Sequence, residues 1–224
     1  KRDFFLENQG IFAFGNEAGG GNNGGGNPGS GRTNQPQDMR LFFTRTIGLS
    51  DTAQALPILW GTRLSGRQGA YSIGVLNIQE RADLVVPATN FTALRMRRDV
   101  LANSDVGAVF LDKDASGPDK FNRLAGVDGN FRFGNLQVNG FAAKTFSPAA
   151  VTIGKESTLT TRASMDYRSR KWRMNARYST IGDGFHDELG FIPRIGVNEW
   201  NSQINRTFRP KWLPKAIRES GPHW

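Results

Sequence analysis

Residues 164 to 179 read SMDYRSRKWRMNARYS, and this stretch constrains the fold more than any other. Met165 and Tyr167 alternate with Asp166 and Arg168, the chain turns near Ser169 to Lys171, and Trp172, Met174, Ala176 and Tyr178 then alternate with Arg173, Asn175, Arg177 and Ser179. Strand side chains point to opposite faces with period two, so the segment is a β-hairpin with one apolar and one basic surface.

The pattern recurs along the chain. It predicts strands near 40–47, 56–66, 69–79, 89–99, 105–112, 121–133, 135–146, 157–168, 171–181 and 196–208. Their connections fall into two alternating classes. SGRQG (65–69), LANSD (101–105), FGN (133–135) and RSRK (168–171) are short, whereas QERADLVVPATN (79–90), DKDASGPDK (112–120), SPAAVTIGKE (147–156) and GDGFHDELGFIPRIG (182–196) are long. Antiparallel strands joined in order place every second connection at the same end of the sheet. One rim therefore carries tight turns and the other long loops. Bacterial outer-membrane barrels have this asymmetry, with strands of about 9 to 11 residues.

Arginine placement separates a membrane barrel from a soluble sandwich. Arg162, Arg173 and Arg177 share a face with Ser164, Asp166 and Asn175, opposite Leu159, Ala163, Met165, Trp172, Met174 and Ala176. Arg63 lies opposite Ile58, Trp60 and Leu64, and Arg95 and Arg97 lie opposite Leu94 and Met96. Asp128, Asn130 and Arg132 oppose Val127, Phe131 and Phe133. An arginine on lipid at the bilayer midplane costs about 2 to 4 kcal/mol, so the guanidinium face must meet water. In a barrel that water lies in the lumen, and Arg63, Arg95, Arg97, Asp128, Arg132, Arg162, Asp166, Arg173 and Arg177 become the candidate lumen-binding residues. Tyr71, Phe91, Phe110, Phe133, Tyr167, Trp172 and Tyr178 fall near strand ends, as interfacial girdle residues would.

Composition excludes several alternatives. The 224 residues suffice for one sizeable domain or for part of a larger one, and only 38% are hydrophobic while Gly (27) and Phe (16) are plentiful. The chain has no cysteine, so disulfide scaffolds, zinc–thiolate sites and thiol catalysis are excluded. No apolar run approaches the roughly 20 residues of a membrane helix, and no signal-peptide pattern opens the chain, which reads as an excised or mature portion of a longer protein. The net charge of +9 raises the question of nucleic acid, but the basic residues are spread over the strands and match no nucleic-acid motif. Nucleic acid is not an expected partner.

No catalytic or metal motif stands. GGGNNGGGNPGSG (19–31) is the centre of a mobile Gly/Asn-rich loop, 15–39, and lacks the Lys-Ser or Lys-Thr of a phosphate loop. IGKES (153–157) has Ala149 where a phosphate loop needs its first Gly. His186 beside Asp187 and Glu188 reads as a polar external loop, and DKDASGPDK has Arg123 where a calcium loop needs a bidentate Glu. Neither a cofactor nor a catalytic residue is expected.

Five segments carry a resemblance: KRDFFLENQGIFAFG (1–15), LFFTRTIGL (41–49), PILWGTRLSGRQGAYSIGVLNIQ (57–79), PATNFTALRMRRDVL (87–101) and STIGDGFHDELGFIPR (179–194). They resemble a bacterial family of outer-membrane proteins that join an amino-terminal carbohydrate-binding-like β-sandwich to a carboxy-terminal β-barrel. The resemblance implies an outer-membrane location and part of the barrel region, residues 1–224, with no catalytic residue to carry over. The glycine-rich insert departs from the family's usual short connection, and WLPKAIRESGPHW lacks the alternation of a closing strand.

The expected fold is thus an all-β, antiparallel up-and-down transmembrane β-barrel, or a contiguous part of one, in a bilayer. Three roles follow. A barrel with an arginine-lined lumen would pass or bind an anionic or polar solute. A structural anchor would offer its long loops to a partner protein or glycan. A soluble carbohydrate-binding β-sandwich would need no membrane.

Overall fold

The computed structural model describes residues 9–14, 39–44, 47–49, 55–82 and 86–207. The fold is all-β. Among the described residues nine strands form one antiparallel sheet in strict sequence order: β1 (Ile58–Gln68), β2 (Tyr71–Glu80), β3 (Thr89–Leu101), β4 (Ser104–Ala115), β5 (Phe121–Phe133), β6 (Leu136–Phe146), β7 (Leu159–Arg168), β8 (Trp172–Ile181) and β9 (Val197–Arg206). Each strand pairs with its sequence neighbours, and the sheet does not close among the described residues. A sandwich would need two packed sheets, and this is one meander. Among the described residues two single-turn helices accompany it, α1 (Gln9–Phe12) and α2 (Ala149–Thr152).

The predicted strands from 56 onward match β1 to β9, and the two classes of connection sit at opposite rims. At the turn rim, Gly69 and Gly134 have φ of 58° and 57° and occupy the first central position of two-residue hairpin loops, where a type II′ turn needs glycine. At the loop rim lie the connections after β2, β4, β6 and β8.

The expected strand at 40–47 does not form. Its described residues are irregular apart from one bridge, in which Arg40 and Phe191 exchange backbone hydrogen bonds of 2.9 and 2.6 Å. Met39, Leu41, Phe42 and Ile47 are buried instead, since four apolar residues gain more by covering the sheet than by extending it. Most of the glycine-rich loop and the terminal WLPKAIRESGPHW lie outside the described residues.

One face of the sheet is covered. Its core joins Leu76, Ile78, Phe91, Ala93, Val109, Leu111, Leu124, Phe141 and Ala143 of the strands to Phe12, Phe14, Met39, Leu41, Phe42 and Ile47 of the preceding chain and to Phe185 and Leu189 of the β8–β9 loop. The covering layer reaches from β2, where Gly48 N donates to Glu80 Oε1, to β7, where Thr160 Oγ1 lies 3.7 Å from Met39 Sδ. The other face is bare and apolar. Leu64 is 70% exposed, Val127 61% and Trp200 67%.

Candidate functional site

The register places every sequence-predicted site residue on the covered side. Arg63 pairs with Leu76, Arg95 with Gly74 and Val109, Arg97 with Ser72 and Gly107, and Asp128 with Gly107 and Phe141. Arg132 stands opposite Gln137, Arg162 opposite Phe141 and Ser179, and Asp166 opposite Gln137 and Asn175. Arg173 and Arg177 continue the row toward β9, opposite Asn205 and Asn201. Trp60, Leu64, Leu94, Met96, Met165, Trp172, Met174 and Ala176 take the bare side by the same registers. Three aromatic or apolar assignments need correction, one of them Phe110, which stands mid-strand in β4 between Leu94 and Ala125 and not near a strand end. A register shift between Ile58 and Trp60 turns Ile58 inward against the core, and Phe91 is a buried inward residue and not a girdle residue.

The inward residues do not line one aqueous space. The half toward the loop rim is dry and filled, as described above. Its floor is an ion pair: Arg95 Nη1 and Nη2 each lie 2.7 Å from an Asp128 carboxylate oxygen, and Arg95 is only 2% exposed. Gly107 makes room for it, because a Cβ there would stand 2.6 Å from both Arg95 Nη1 and Asp128 Oδ1. Phe14 caps the guanidinium with its ring centroid 5.1 Å from Cζ, Phe14 packs 5.4 Å from Phe141, and Arg162 lies 5.5 Å from the Phe141 ring on the far side. A bidentate pair in so dry a setting is held by geometry and by cation–π contact, and it is not available to a solute.

α1 and the residues after it sit in glycine hollows. A Cβ on Gly74 would meet Ile11 Cγ2 at 2.6 Å, and one on Gly126 would meet Phe14 Cζ at 2.8 Å. Sequence reading missed this plug, although Ile11, Phe12 and Phe14 crowd together just ahead of the glycine loop.

Among the described residues, two cavities open on the inward face. A cavity of about 450 Å³ near the turn rim is lined by Arg95, Arg97, Asp105, Asp128, Asn130 and Arg132, among others. A second, of about 650 Å³, lies along β7 to β9 with Arg162, Asp166, Asn175, Arg177 and Glu199 on its walls. Seven of the nine predicted site residues thus fall into two separate clusters, and Arg63 and Arg173 line neither cavity. Each cluster mixes both signs of charge.

The β8–β9 loop is not the solvated excursion its sequence suggests. Phe185 and Leu189 are fully buried in the core. Asn122 pins the backbone between them, donating to His186 O at 2.7 Å and accepting from Glu188 N at 3.0 Å. Glu188 Oε1 lies 3.1 Å from His186 Nε2 and Glu188 Oε2 lies 2.6 Å from Lys113 Nζ. Those contacts, the His186 ring first, hold the Glu188 carboxyl down to about 2. Asp183 at the loop's start is also lowered, by the backbone amides of Ser157 and Glu156 that donate to it. Among the described residues no group of three or more His, Asp and Glu side chains is placed to hold a metal ion.

Comparison with known proteins found no matching family model, no matching curated protein and no matching solved structure. The functional argument therefore rests on geometry.

Proposed function

We propose that the chain is a segment of an outer-membrane β-barrel that serves as a plugged structural anchor, with the bare face in hydrocarbon and the loop rim presented to a partner protein or glycan. One observation carries the reading. On the bare face, charge is confined to residues near the strand ends. Arg98 and Arg206 stand toward the turn rim and Asp112, Asp114, Arg123 and Lys144 toward the loop rim, with Leu94, Met96, Ala108, Phe110, Val127, Ala142, Ala163 and Met165 between them. The charges there keep partners within reach, Arg123 with Asp112 at 2.9 Å and Arg98 over the Tyr71 ring at 5.2 Å. An uncharged band this broad exceeds what a monomer leaves in water and marks an interface with lipid or protein.

Aromatic residues favour lipid. Tyr71, Phe133, Tyr167 and Trp172 edge the band at the turn rim, and Trp60, Phe121, Phe146 and Trp200 edge it at the loop rim. Anchoring is favoured over conduction because the inward face is occupied by chain. Burial of Phe12 and Phe14 alone is worth about 1.5 to 3 kcal/mol each, so the plug does not leave without cause.

The test uses vesicles of lipids brominated on the acyl chain close to the headgroup, with Trp200 as the sole remaining tryptophan. Bromine is expected to quench its fluorescence, and an unquenched protein that stays in the aqueous phase would overturn the membrane reading. Planar-bilayer recording then separates the roles. A silent barrel supports the anchor, and a steady anion-preferring conductance would replace it with the arginine-lined pore.

A further inference from the structure

The bare face carries different charge at its two rims. At the loop rim Asp112 and Asp114 stand with Arg123 and Lys144, two acids against two bases, and Arg123 Nε donates to Asp112 Oδ1 at 2.9 Å. At the turn rim the same face carries Arg98 and Arg206, and among the described residues no carboxylate stands with them. The acids at that end, Asp99, Asp105 and Asp166, take the covered side.

Both turn-rim guanidiniums are held in the same way. Arg98 is the cross-strand partner of Tyr71 and lies 5.2 Å from its ring centroid, and Arg206 is the partner of Trp172 and lies 5.2 Å from its ring. A ring occupies one face of the guanidinium plane and leaves the N–H donors around its edge to find an acceptor elsewhere. The second corner is the more charged. β7 and β8 join through Ser169, Arg170 and Lys171, of which Arg170 and Lys171 are exposed. Behind this tip Arg168 stands directly opposite Arg173, and like charges so placed repel. Among the described residues Arg168, Arg170, Lys171 and Arg173 have no side-chain partner, and Arg206 adds a fifth cation beside them.

We infer that the turn-rim edge of the bare face, above all the corner of Arg170, Lys171, Trp172 and Arg206, binds the phosphate of an anionic phospholipid headgroup. The inference rests on the membrane reading, which sets Tyr71 and Trp172 at headgroup level. A guanidinium lying on an interfacial ring there presents its planar fork to phosphate oxygens, and Lys171 adds a point charge. Arg168 and Arg173, on the covered side of the same hairpin, strengthen the local field. The balanced loop rim gains little from an anionic leaflet, so the same asymmetry orients the chain, with its turns toward the leaflet richer in anionic phospholipid.

The test keeps Trp172 as the sole tryptophan in vesicles of phosphatidylcholine and phosphatidylglycerol at equal mole fractions, with one lipid or the other brominated close to the headgroup. Quenching is expected to show phosphatidylglycerol enriched about fivefold or more around Trp172, less so as salt rises. Trp200 as the sole tryptophan, at the balanced rim, should show no preference. An equal preference there would ascribe the effect to the net charge of +9 and overturn the inference. Arg170→Gln, Lys171→Gln and Arg206→Gln together should bring the ratio at Trp172 close to one, while Lys144→Gln at the loop rim leaves it unchanged. Equal quenching by the two lipids in the unaltered protein, or a preference that survives the triple substitution, overturns the inference. Inorganic phosphate replacing chloride at matched ionic strength should leave the preference in place, and its loss would make this a site for a soluble anion instead. If neither brominated lipid quenches either tryptophan, the membrane reading itself fails and this inference falls with it, an outcome distinct from equal quenching by both.

Discussion

The two halves of the covered face are built from the same strands and the same alternation, yet they differ in kind. Toward the loop rim the inward positions are Leu76, Ile78, Ala93, Leu111, Leu124 and Ala143, all sealed by chain from elsewhere in the sequence. Toward the turn rim they are Arg97, Asp105, Asn130, Arg132 and Gln137, and water reaches them. Binary alternation decides which side a residue takes, and the covering segments decide what that side becomes. Arg95 and Asp128 lie on the boundary, as charged as the polar half and as dry as the apolar one.

Breaking that boundary should produce the largest effect. Asp128→Ala leaves the Arg95 guanidinium buried without its partner, which costs about 3 to 5 kcal/mol. A urea titration in detergent micelles is expected to show that loss. Replacing both members with apolar residues of similar size, Arg95→Met with Asp128→Leu, should recover most of it, because no uncompensated charge remains. A double variant as unstable as the single one would mean that the cation–π contact with Phe14 matters more than the pairing.

The plug is the next place to press. Gly126→Leu puts a side chain where Phe14 Cζ, Ala143 Cβ and the Ala142 carbonyl already stand, and overpacking of this sort costs about 1 to 3 kcal/mol. The expected result is release of residues 9–14 with the strands intact, read as faster amide exchange at 9–14 and at Leu76 and Ala93 beneath them. Planar-bilayer recording of the same variant sharpens the contrast. If the plug alone separates an anchor from a pore, conductance appears with its removal. If the remaining cover of Met39, Leu41, Phe185 and Leu189 suffices, the variant stays silent.

How much of this was legible beforehand follows the same division. Strand order, the two rims and the sorting of Arg63, Arg95, Arg97, Arg162, Arg173 and Arg177 away from Leu94, Met96, Met165 and Trp172 depend only on period two and connection length, both local properties of the chain. The cover depends on contacts between segments far apart in sequence. Met39 against Thr160 and Asn122 against the His186–Glu188 backbone leave no periodic trace. Part of the signal was nevertheless present. β2 and β3 carry Leu76, Ile78, Phe91 and Ala93 on the same side as Arg95, which is too apolar for a lumen wall along its whole height. The bulge that turns Ile58 inward had no local marker.

Acid provides a milder way to loosen the dry half. The folded-state pKa of Glu188 is about 2 against an ordinary 4.5, a depressed carboxylate. Its stabilising share is complete above pH 4.5 and is lost as pH falls toward 2, and the lowered Asp183 acts in the same direction. Protection factors at loop residues 185–189, which divide out the intrinsic pH dependence of amide exchange, should therefore be lower in that window than at neutral pH, with those of β4 and β5 unaffected. Glu188→Gln should flatten the response to the Asp183 share. An unchanged slope would place the latch on Asn122 alone.

The smallest effect belongs to the wet half. Arg132 reaches Gln137 Oε1 at 3.1 Å in an exposed setting, and Arg67 pairs with Asp99 at 2.5 Å with both side chains well exposed. Exposed pairs are worth about 0 to 1 kcal/mol, since water solvates the separated partners nearly as well. Arg132→Gln and Arg67→Gln should each shift the urea midpoint by no more than that, and the shift should shrink as salt rises from low to physiological strength. The contrast with Asp128→Ala is then a measurement of dryness. Both changes disturb an arginine on the same face of one sheet, and only the covering segments differ between them. A loss at Arg132 as large as at Asp128 would mean that the turn-rim cavity is sealed in the full protein, with chain or partner over it as well.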